Sequence, residues 1–197
     1  TNMNLYCRMY GLGDSTGIEL GEQRGSLAGP DHRADMHGLE WQPTDTIAAA
    51  IGQSDNAFTP LQLGVYTSTL FNSGTRYAAH LLLKVRDFST RTDTVVTTPS
   101  VLSEFTLPEA HRLTVIEGME QMVATSTEVG RYMKNIPVTV AGKTGTAERS
   151  GEEPTGWFVA YVPADNPRYV VASCVERGGY GSECAMYVVR DIMGAIY

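Results

Sequence analysis

Residues 138–175 constrain the fold most, because three short runs of β-forming residues follow one another with only turn residues between them. The runs cover residues 138–146, 157–162 and 169–175, and Gly, Pro, Asp and Asn are concentrated in the two connections. Connections this short join neighbouring antiparallel strands. The sequence therefore predicts a three-stranded antiparallel meander near the end of the chain.

Helices are predicted on both sides of the chain's β-rich part. Thr59-Pro60-Leu61-Gln62 has the pattern of a capping box with proline at the first helical position, and a second helix is predicted from Glu109 to Ala124. A third is predicted near Glu183 to Ile196, where apolar residues recur at helical spacing. Residues 76–106 are predicted to form a hairpin or an irregular excursion.

These elements indicate an α+β fold, in which an antiparallel sheet is flanked by helices. We expect one partial domain over residues 1–197. Its first part, residues 1–136, is expected to be mainly helices and loops, and residues 137–197 are expected to form the meander and the C-terminal helix.

Composition excludes several classes of function. A formal charge of −7, with scattered Lys and Arg, argues against nucleic-acid binding. No apolar run approaches the ~20 residues of a membrane span. The four histidines have no metal-ligand spacing, so we expect neither a metal nor another cofactor.

The candidate site is the tetrapeptide Lys143-Thr144-Gly145-Thr146 on the first predicted strand. Lys143 supplies a positive charge for an anionic substrate, and Thr144 and Thr146 supply hydroxyl groups on one face of the strand. Gly145 has no side chain, so that a peptide backbone can approach and pair along the strand. These properties suit recognition of a peptide with a free carboxylate.

Two other interpretations compete with this one. Gly142-Lys143-Thr144 matches the end of a phosphate-binding loop, but that motif needs glycine at position 137, which is Pro137. The preceding residues also favour a strand over a glycine-rich loop. The remaining alternative is a surface lysine in a hairpin, because an isolated Lys-Thr-Gly triplet is a weak signal.

The order of several segments favours the functional interpretation. Lys-Thr-Gly on a strand is one element of the acyl-transfer site of penicillin-binding proteins and class A β-lactamases. The whole chain resembles the transpeptidase domain of class B penicillin-binding proteins, so we expect the C-terminal portion of a penicillin-binding transpeptidase or serine β-lactamase-like fold. The matching segments are residues 10–20, 41–53, 59–63, 117–119, 140–148 and 157–161.

The resemblance implies roles for the tetrapeptide. Lys143 and Thr144 would help to activate the acyl centre and hold the substrate, with Gly145 beside them. The Thr146 hydroxyl would bind the substrate carboxylate, and its backbone N–H would be one of two oxyanion donors. The expected ligands are the D-Ala-D-Ala stem peptide of peptidoglycan and β-lactams, and the expected place is the extracytoplasmic face of a bacterial membrane, anchored by an upstream segment.

The nucleophile of this family is a serine followed three residues later by lysine, and no serine of the chain has that spacing. Ser54-Asp55-Asn56 spells a Ser-Asp-Asn motif, but in the resemblance these are variable loop positions, so Ser54 and Asn56 are weak candidates. We expect the nucleophile to lie upstream of Thr1.

Three hypotheses follow from the missing nucleophile. The first is the C-terminal part of a D,D-transpeptidase, inactive by itself. The second is a catalytically dead binding module of the same fold. The third, a β-lactamase relative, ranks last because no motif supplies a deacylating water and its base. In each case the last strand would leave an apolar sheet edge, which we expect the missing N-terminal part or another chain to cap.

Overall fold

The computed structural model describes residues 2–197 as seven helices and seven strands. None of the described helices is long and apolar enough to cross a membrane. In chain order the elements are α1 (Asn2–Met9), α2 (Pro30–His37), α3 (Pro43–Ala50), α4 (Pro60–Phe71), β1 (Thr75–Tyr77), β2 (Lys84–Arg86), β3 (Asp93–Val96), β4 (Val101–Glu104), α5 (Glu109–Thr125), α6 (Thr127–Met133), β5 (Ala141–Ala147), β6 (Thr155–Val162), β7 (Tyr169–Val175) and α7 (Ala185–Ile196).

The predicted meander is confirmed as a three-stranded antiparallel sheet in the order β5-β6-β7. Its register is regular, with Gly145 opposite Trp157 and Trp157 opposite Cys174. Strands β5 and β7 are the two edges of this sheet, and no described strand pairs with the outer edge of either.

Helices cover both faces of this sheet, as the α+β prediction requires. On one face, α4 and α5 enclose a small core around Tyr161, whose ring lies 3.5 Å from that of Phe71 between centroids. On the other face, α6 and α7 form the larger core with Phe158, and Met186, Val189 and Met193 of α7 are fully buried there. Alternation along β6 sends these two aromatic residues to opposite faces.

Residues 76–106 contain two antiparallel pairs. Strand β1 pairs with β4, and between them β2 and β3 form an exposed hairpin. Two ion pairs join Asp93 to Lys84 and to Arg86 across this hairpin, at 3.0 and 2.7 Å. The hairpin alternative of the sequence prediction is therefore confirmed for the middle of this region.

The loops before α4 are held by a buried amide. Thr59 and Gln62 form the predicted capping box, and the Gln62 side chain is fully buried. Its Nε2 also donates to the carbonyls of Asp14 and Arg24, at 2.9 and 2.7 Å. One side chain thus caps the helix and fixes two loop segments against it.

A carboxylate organises the first of these loops. Glu22 accepts hydrogen bonds from the hydroxyls of Ser15 and Thr16 and from the backbone N–H groups of Thr16 and Gly17. Desolvation acts to raise the pKa of Glu22, but these donors outweigh it and lower the pKa to about 2. The loop is therefore stabilised by the ionised form.

We expect the stability of the fold to depend on pH through Glu22. Because its pKa is lower in the folded chain than its ordinary value of 4.5, its contribution is present above about pH 4.5 and is lost as the pH falls toward about 2. Glu22→Gln should lower the melting temperature at pH 7, and this difference should shrink toward pH 2. Thermal unfolding followed by circular dichroism across this range measures it. Glu153→Gln, at an exposed position, is the control, and a Glu22→Gln effect independent of pH would contradict the prediction.

Tyr161→Phe should stabilise the chain. Tyr161 is 0% exposed and its hydroxyl has no hydrogen-bond partner among the described residues, so that removing the hydroxyl removes an unmet desolvation cost. The expected gain in the free energy of unfolding is about 1 kcal/mol, measured by urea denaturation. Tyr169→Phe is the control, since Tyr169 is 41% exposed and should be neutral. A loss of stability in Tyr161→Phe would show that the hydroxyl is bonded after all.

Candidate active site

The four residues of the candidate site lie on β5, at the edge of the sheet. Lys143 is exposed, and the other three are partly buried. In the register with β6, Lys143 is opposite Val159, whereas Thr144 is opposite Phe158. Lys143 therefore lies on the face covered by α4 and α5, and the two threonine side chains lie on the face covered by α7.

The backbone N–H and C=O groups of Thr144 and Thr146 point away from β6, toward the open edge of the sheet. Lys143 Nζ donates to the carbonyl of Thr144 at 2.8 Å, and Gln53 Nε2 donates to the carbonyl of Thr146 at 3.5 Å. In an antiparallel ladder, every second residue directs its backbone N–H and C=O groups to the partner strand. Gly145 therefore bonds to Trp157, and the backbone groups of Thr144 and Thr146 face outward. The N–H groups of Thr144 and Thr146 are consequently available at an open edge.

Gln53 is a site residue that was not predicted from the sequence. It follows α3 and lies 93 positions before Thr146, whose carbonyl its side chain contacts. The only signal was its place in the segment 41–53 that carried the resemblance. Gln53 links the loop after α3 to the end of the candidate strand and leaves the adjacent N–H of Thr146 uncovered.

The candidate residues Ser54 and Asn56 lie in this same loop. Ser54 is exposed in the left-handed backbone region, with φ of 64°. The Asn56 side chain accepts from the N–H of Ala28 at 2.9 Å and donates to the carbonyls of Ala49 and Gln53, each at 3.1 Å. Neither side chain bonds to residues 143–146 in the described structure, so a catalytic role for them stays a prediction.

The loop that carries Gln53 is held in place by these bonds and by charge. Asp55 lies 3.6 Å from Arg33 and 3.2 Å from His37, both on α2, and Arg33 also contacts Asp45 of α3 at 3.2 Å. Arg33, Asp45 and Asp55 are partly buried, where ion pairs are screened less than at the surface, whereas His37 is exposed. The amide of Asn56 and this charge network together give the Gln53 side chain a defined position.

The geometry suits the binding of an extended peptide. An open strand edge offers two outward N–H groups, a nearby lysine ammonium and hydroxyl groups, without a bulky side chain at Gly145. The first three of these bind carbonyl and carboxylate groups. The tetrapeptide thus combines a pairing edge with a positive charge.

Comparison with known proteins identifies the family. The family model described as "Penicillin binding protein transpeptidase domain" matches residues 1–194. The chain belongs to this family. The resemblance predicted from the ordered segments and the predicted fold class are therefore both confirmed.

Relatives of this transpeptidase domain include bacterial proteins named as a peptidoglycan D,D-transpeptidase and as a penicillin-binding protein. The peptidoglycan D,D-transpeptidase MrdA of Acinetobacter baumannii is 29% identical over 199 residues, covering 93% of this chain and 29% of its own length. Penicillin-binding protein 2B of Streptococcus pneumoniae is 31% identical over 174 residues, covering 83% of this chain and 24% of its own. The chain thus spans about 30% of the length of the first of these relatives.

The fold of the transpeptidase domain is also that of solved relatives. A chain in a peptidoglycan synthase complex, described as coordinating polymerization and crosslinking, superposes with a TM-score of 0.83 at 29% identity. The match covers 98% of this chain and 32% of that one. The described sheet and its flanking helices therefore correspond to about a third of that chain.

Lys143→Ala should leave the stability of the transpeptidase domain nearly unchanged. Among the described residues the ammonium bonds only to the neighbouring carbonyl of Thr144, so we expect a change within ~0.5 kcal/mol in the free energy of unfolding. Gln62→Ala should instead cost about 2 kcal/mol or more, because it removes a fully buried side chain that donates to two loop carbonyls. Urea denaturation of both variants measures the contrast. An equal loss in the two variants would assign Lys143 a structural role.

Proposed function

We propose that the chain is the C-terminal part of a peptidoglycan D,D-transpeptidase and supplies the substrate-holding wall of its active site. The nucleophilic serine is proposed to lie in a Ser-x-x-Lys segment outside residues 1–197. The observation that carries this proposal is the open edge of β5, where Thr144 and Thr146 face outward beside Lys143.

The proposed reaction is acyl transfer through the serine. Its oxygen attacks the carbonyl carbon of the penultimate D-Ala of a stem peptide, while its proton passes to a base. The carbon–nitrogen bond to the terminal D-Ala then breaks and the leaving amine takes up a proton. An amine of a second stem peptide attacks the carbonyl carbon of the resulting ester and loses a proton. The carbon–oxygen bond to the serine then breaks, the serine oxygen takes up a proton, and the new amide is the cross-link.

The residues of β5 have distinct proposed roles in this reaction. The Thr146 N–H would stabilise the negative oxygen of the tetrahedral intermediate, a type of interaction worth ~3–4 kcal/mol per donor. The Thr146 hydroxyl and the Lys143 ammonium would hold the terminal carboxylate. Thr144 would pair with the peptide backbone, and Gly145 would leave room for it. A β-lactam would acylate the same serine.

The surroundings of the domain follow from the same proposal. The stem peptide and β-lactams would be ligands, and the enzyme would work at the extracytoplasmic face of a bacterial membrane, anchored by a segment outside this chain. The outer edge of β7 would be paired by another part of the polypeptide or by another chain. An apolar edge left open is a known aggregation liability, which supports this pairing.

The alternative function is a catalytically dead module that binds peptides or β-lactams. It is favoured by one observation, the absence of a serine with lysine three residues later in the 197 residues. Both functions use the open edge of β5 in the same way. They differ only in whether an acyl-enzyme forms.

A fluorescent penicillin separates these functions. It should label the full gene product that contains this sequence and should not label the 197-residue chain. The 197-residue chain should stay unlabelled because the reacting serine is proposed to lie outside residues 1–197. Covalent labelling is read after denaturing gel electrophoresis. Lys143→Ala in the full gene product should reduce the rate of labelling by at least ~10-fold while keeping the fold, since a bound carboxylate loses its cation.

Each other outcome has a defined meaning. Labelling of neither protein would favour the dead module. Labelling of the 197-residue chain would overturn the proposal that its nucleophile lies elsewhere. A penicillin pre-incubation that fails to block the fluorescent signal would show that the labelling is not specific.

A further inference from the structure

The loop between β7 and α7, residues 176–184, packs closely against the back of the candidate strand. Gly181 is buried in this loop and faces the ladder between β5 and β6. A Cβ atom at Gly181 would lie 2.4 Å from the carbonyl oxygen of Gly145. It would also lie 2.2 Å from the carbonyl oxygen of Trp157 and 3.1 Å from its nitrogen. Only glycine therefore fits here without moving the ladder.

The neighbouring position of the ladder is equally tight. Gly156, which is opposite Thr146, would carry a Cβ atom 2.2 Å from the sulfur of Cys184 and 3.0 Å from the carbonyl oxygen of Gly179. Two consecutive positions of the β5–β6 ladder thus rest on one loop. Those positions include Gly145 and Thr146, half of the candidate tetrapeptide.

The loop is itself attached to rigid parts of the fold. The carbonyl of Gly181 accepts from the N–H of Met186 at 3.0 Å, in the first turn of α7, and Met186 is fully buried. Gly179 N–H donates to the carbonyl of Pro154 at 3.0 Å, just before β6. Cys184 Sγ donates to the carbonyl of Tyr180 at 3.2 Å. The loop therefore transmits the position of α7 to the back of β5.

The peptide group between Gly145 and Thr146 links this contact to the open edge. Its carbonyl oxygen is the Gly145 oxygen that Gly181 faces, and its N–H is the outward N–H of Thr146. Because a peptide group is planar, the two ends move together. A displacement of the carbonyl on the inner side must tilt the N–H on the outer side.

We propose that Gly181 is a positioning residue for the Thr146 N–H, and that the loop 176–184 sets how well this N–H stabilises the oxyanion during acylation. This inference rests on the proposed function and adds a residue remote from the substrate. Gly181 acts through the Gly145–Thr146 peptide and makes no contact with the substrate itself. The loop fixes the donor in advance, and a preorganised donor acts mainly on the transition state.

We expect the loop to affect the rate constant of acylation rather than the initial binding of the β-lactam. Non-covalent binding of a β-lactam is spread over several groups along β5, including Lys143 and the threonine hydroxyls. The oxyanion interaction depends on one N–H direction and becomes strong only as negative charge develops. Misplacing this N–H should therefore lower the acylation rate constant and leave the initial dissociation constant nearly unchanged.

The test measures acylation of the full gene product by a fluorescent penicillin at several concentrations. The saturating rate gives the acylation rate constant, and the half-saturating concentration reports non-covalent binding. Gly181→Ala should lower the rate constant by at least ~10-fold and change the half-saturating concentration by less than ~2-fold. Gly194→Ala is the matched control, because a Cβ at Gly194, on α7, would meet nothing within 4 Å.

A second variant covers the case in which Gly181→Ala does not fold. Cys184→Ala removes the Sγ–Tyr180 hydrogen bond and the sulfur beside Gly156, so that it loosens the loop without a clash. It should lower the acylation rate constant in the same direction, by ~2-fold to ~5-fold, with the melting temperature showing that the fold is kept.

The outcomes separate this inference from the proposed function. If the wild-type protein is acylated and folded Gly181→Ala and Cys184→Ala both match it in rate, the positioning role is wrong and the proposed function stands. A loss confined to the half-saturating concentration would also overturn the positioning role. Failure of the wild-type protein to be acylated would overturn both.

Discussion

The antiparallel ladder between β5 and β6 is the interaction on which the rest of the site depends. Its register decides which backbone groups of residues 143–146 are used inside the sheet and which face outward. With Gly145 opposite Trp157, the outward groups belong to Thr144 and Thr146. A shift of one residue would turn the peptide between Gly145 and Thr146 the other way and move Lys143 to the opposite face.

The register is protected by contacts that are not part of the ladder. Phe158 is fully buried against α7, and Tyr161 is fully buried against α4 and α5, so that a slip of β6 would exchange the two cores. Burying a large aromatic side chain contributes about 1.5–3 kcal/mol, far more than a single exposed ion pair. Core packing therefore determines the geometry of the edge.

Local sequence patterns predicted the parts of the structure that are local. The meander was predictable because its connections are short, and α4 was predictable because Thr59 and Gln62 lie three residues apart. The tetrapeptide was found as a motif on a strand. The ordered segments then identified the family, which no single motif would have done.

The parts of the structure that the sequence did not predict depend on contacts between residues far apart in the chain. Gln53 reaches Thr146 across 93 positions, and the glycines at 178, 179 and 181 indicate only a loop, with no signal of what that loop touches. The pairing of β1 with β4 likewise encloses the hairpin of β2 and β3. No single hydrophobic periodicity therefore runs through residues 76–106. Such contacts follow from packing, which a local pattern does not contain.

The two edges of the sheet place different demands on the fold. The edge of β5 has to stay open if a substrate is to pair with it, so no partner strand can hold it rigid. Its support comes instead from α5 on one face, from Gln53 at the end of the strand and from the Gly181 loop behind it. The edge of β7 has no such reason to remain open, and an unpaired apolar edge favours association. We therefore expect the substrate edge to be fixed from within this chain, and the opposite edge to be the one at which another strand of the polypeptide or another chain pairs.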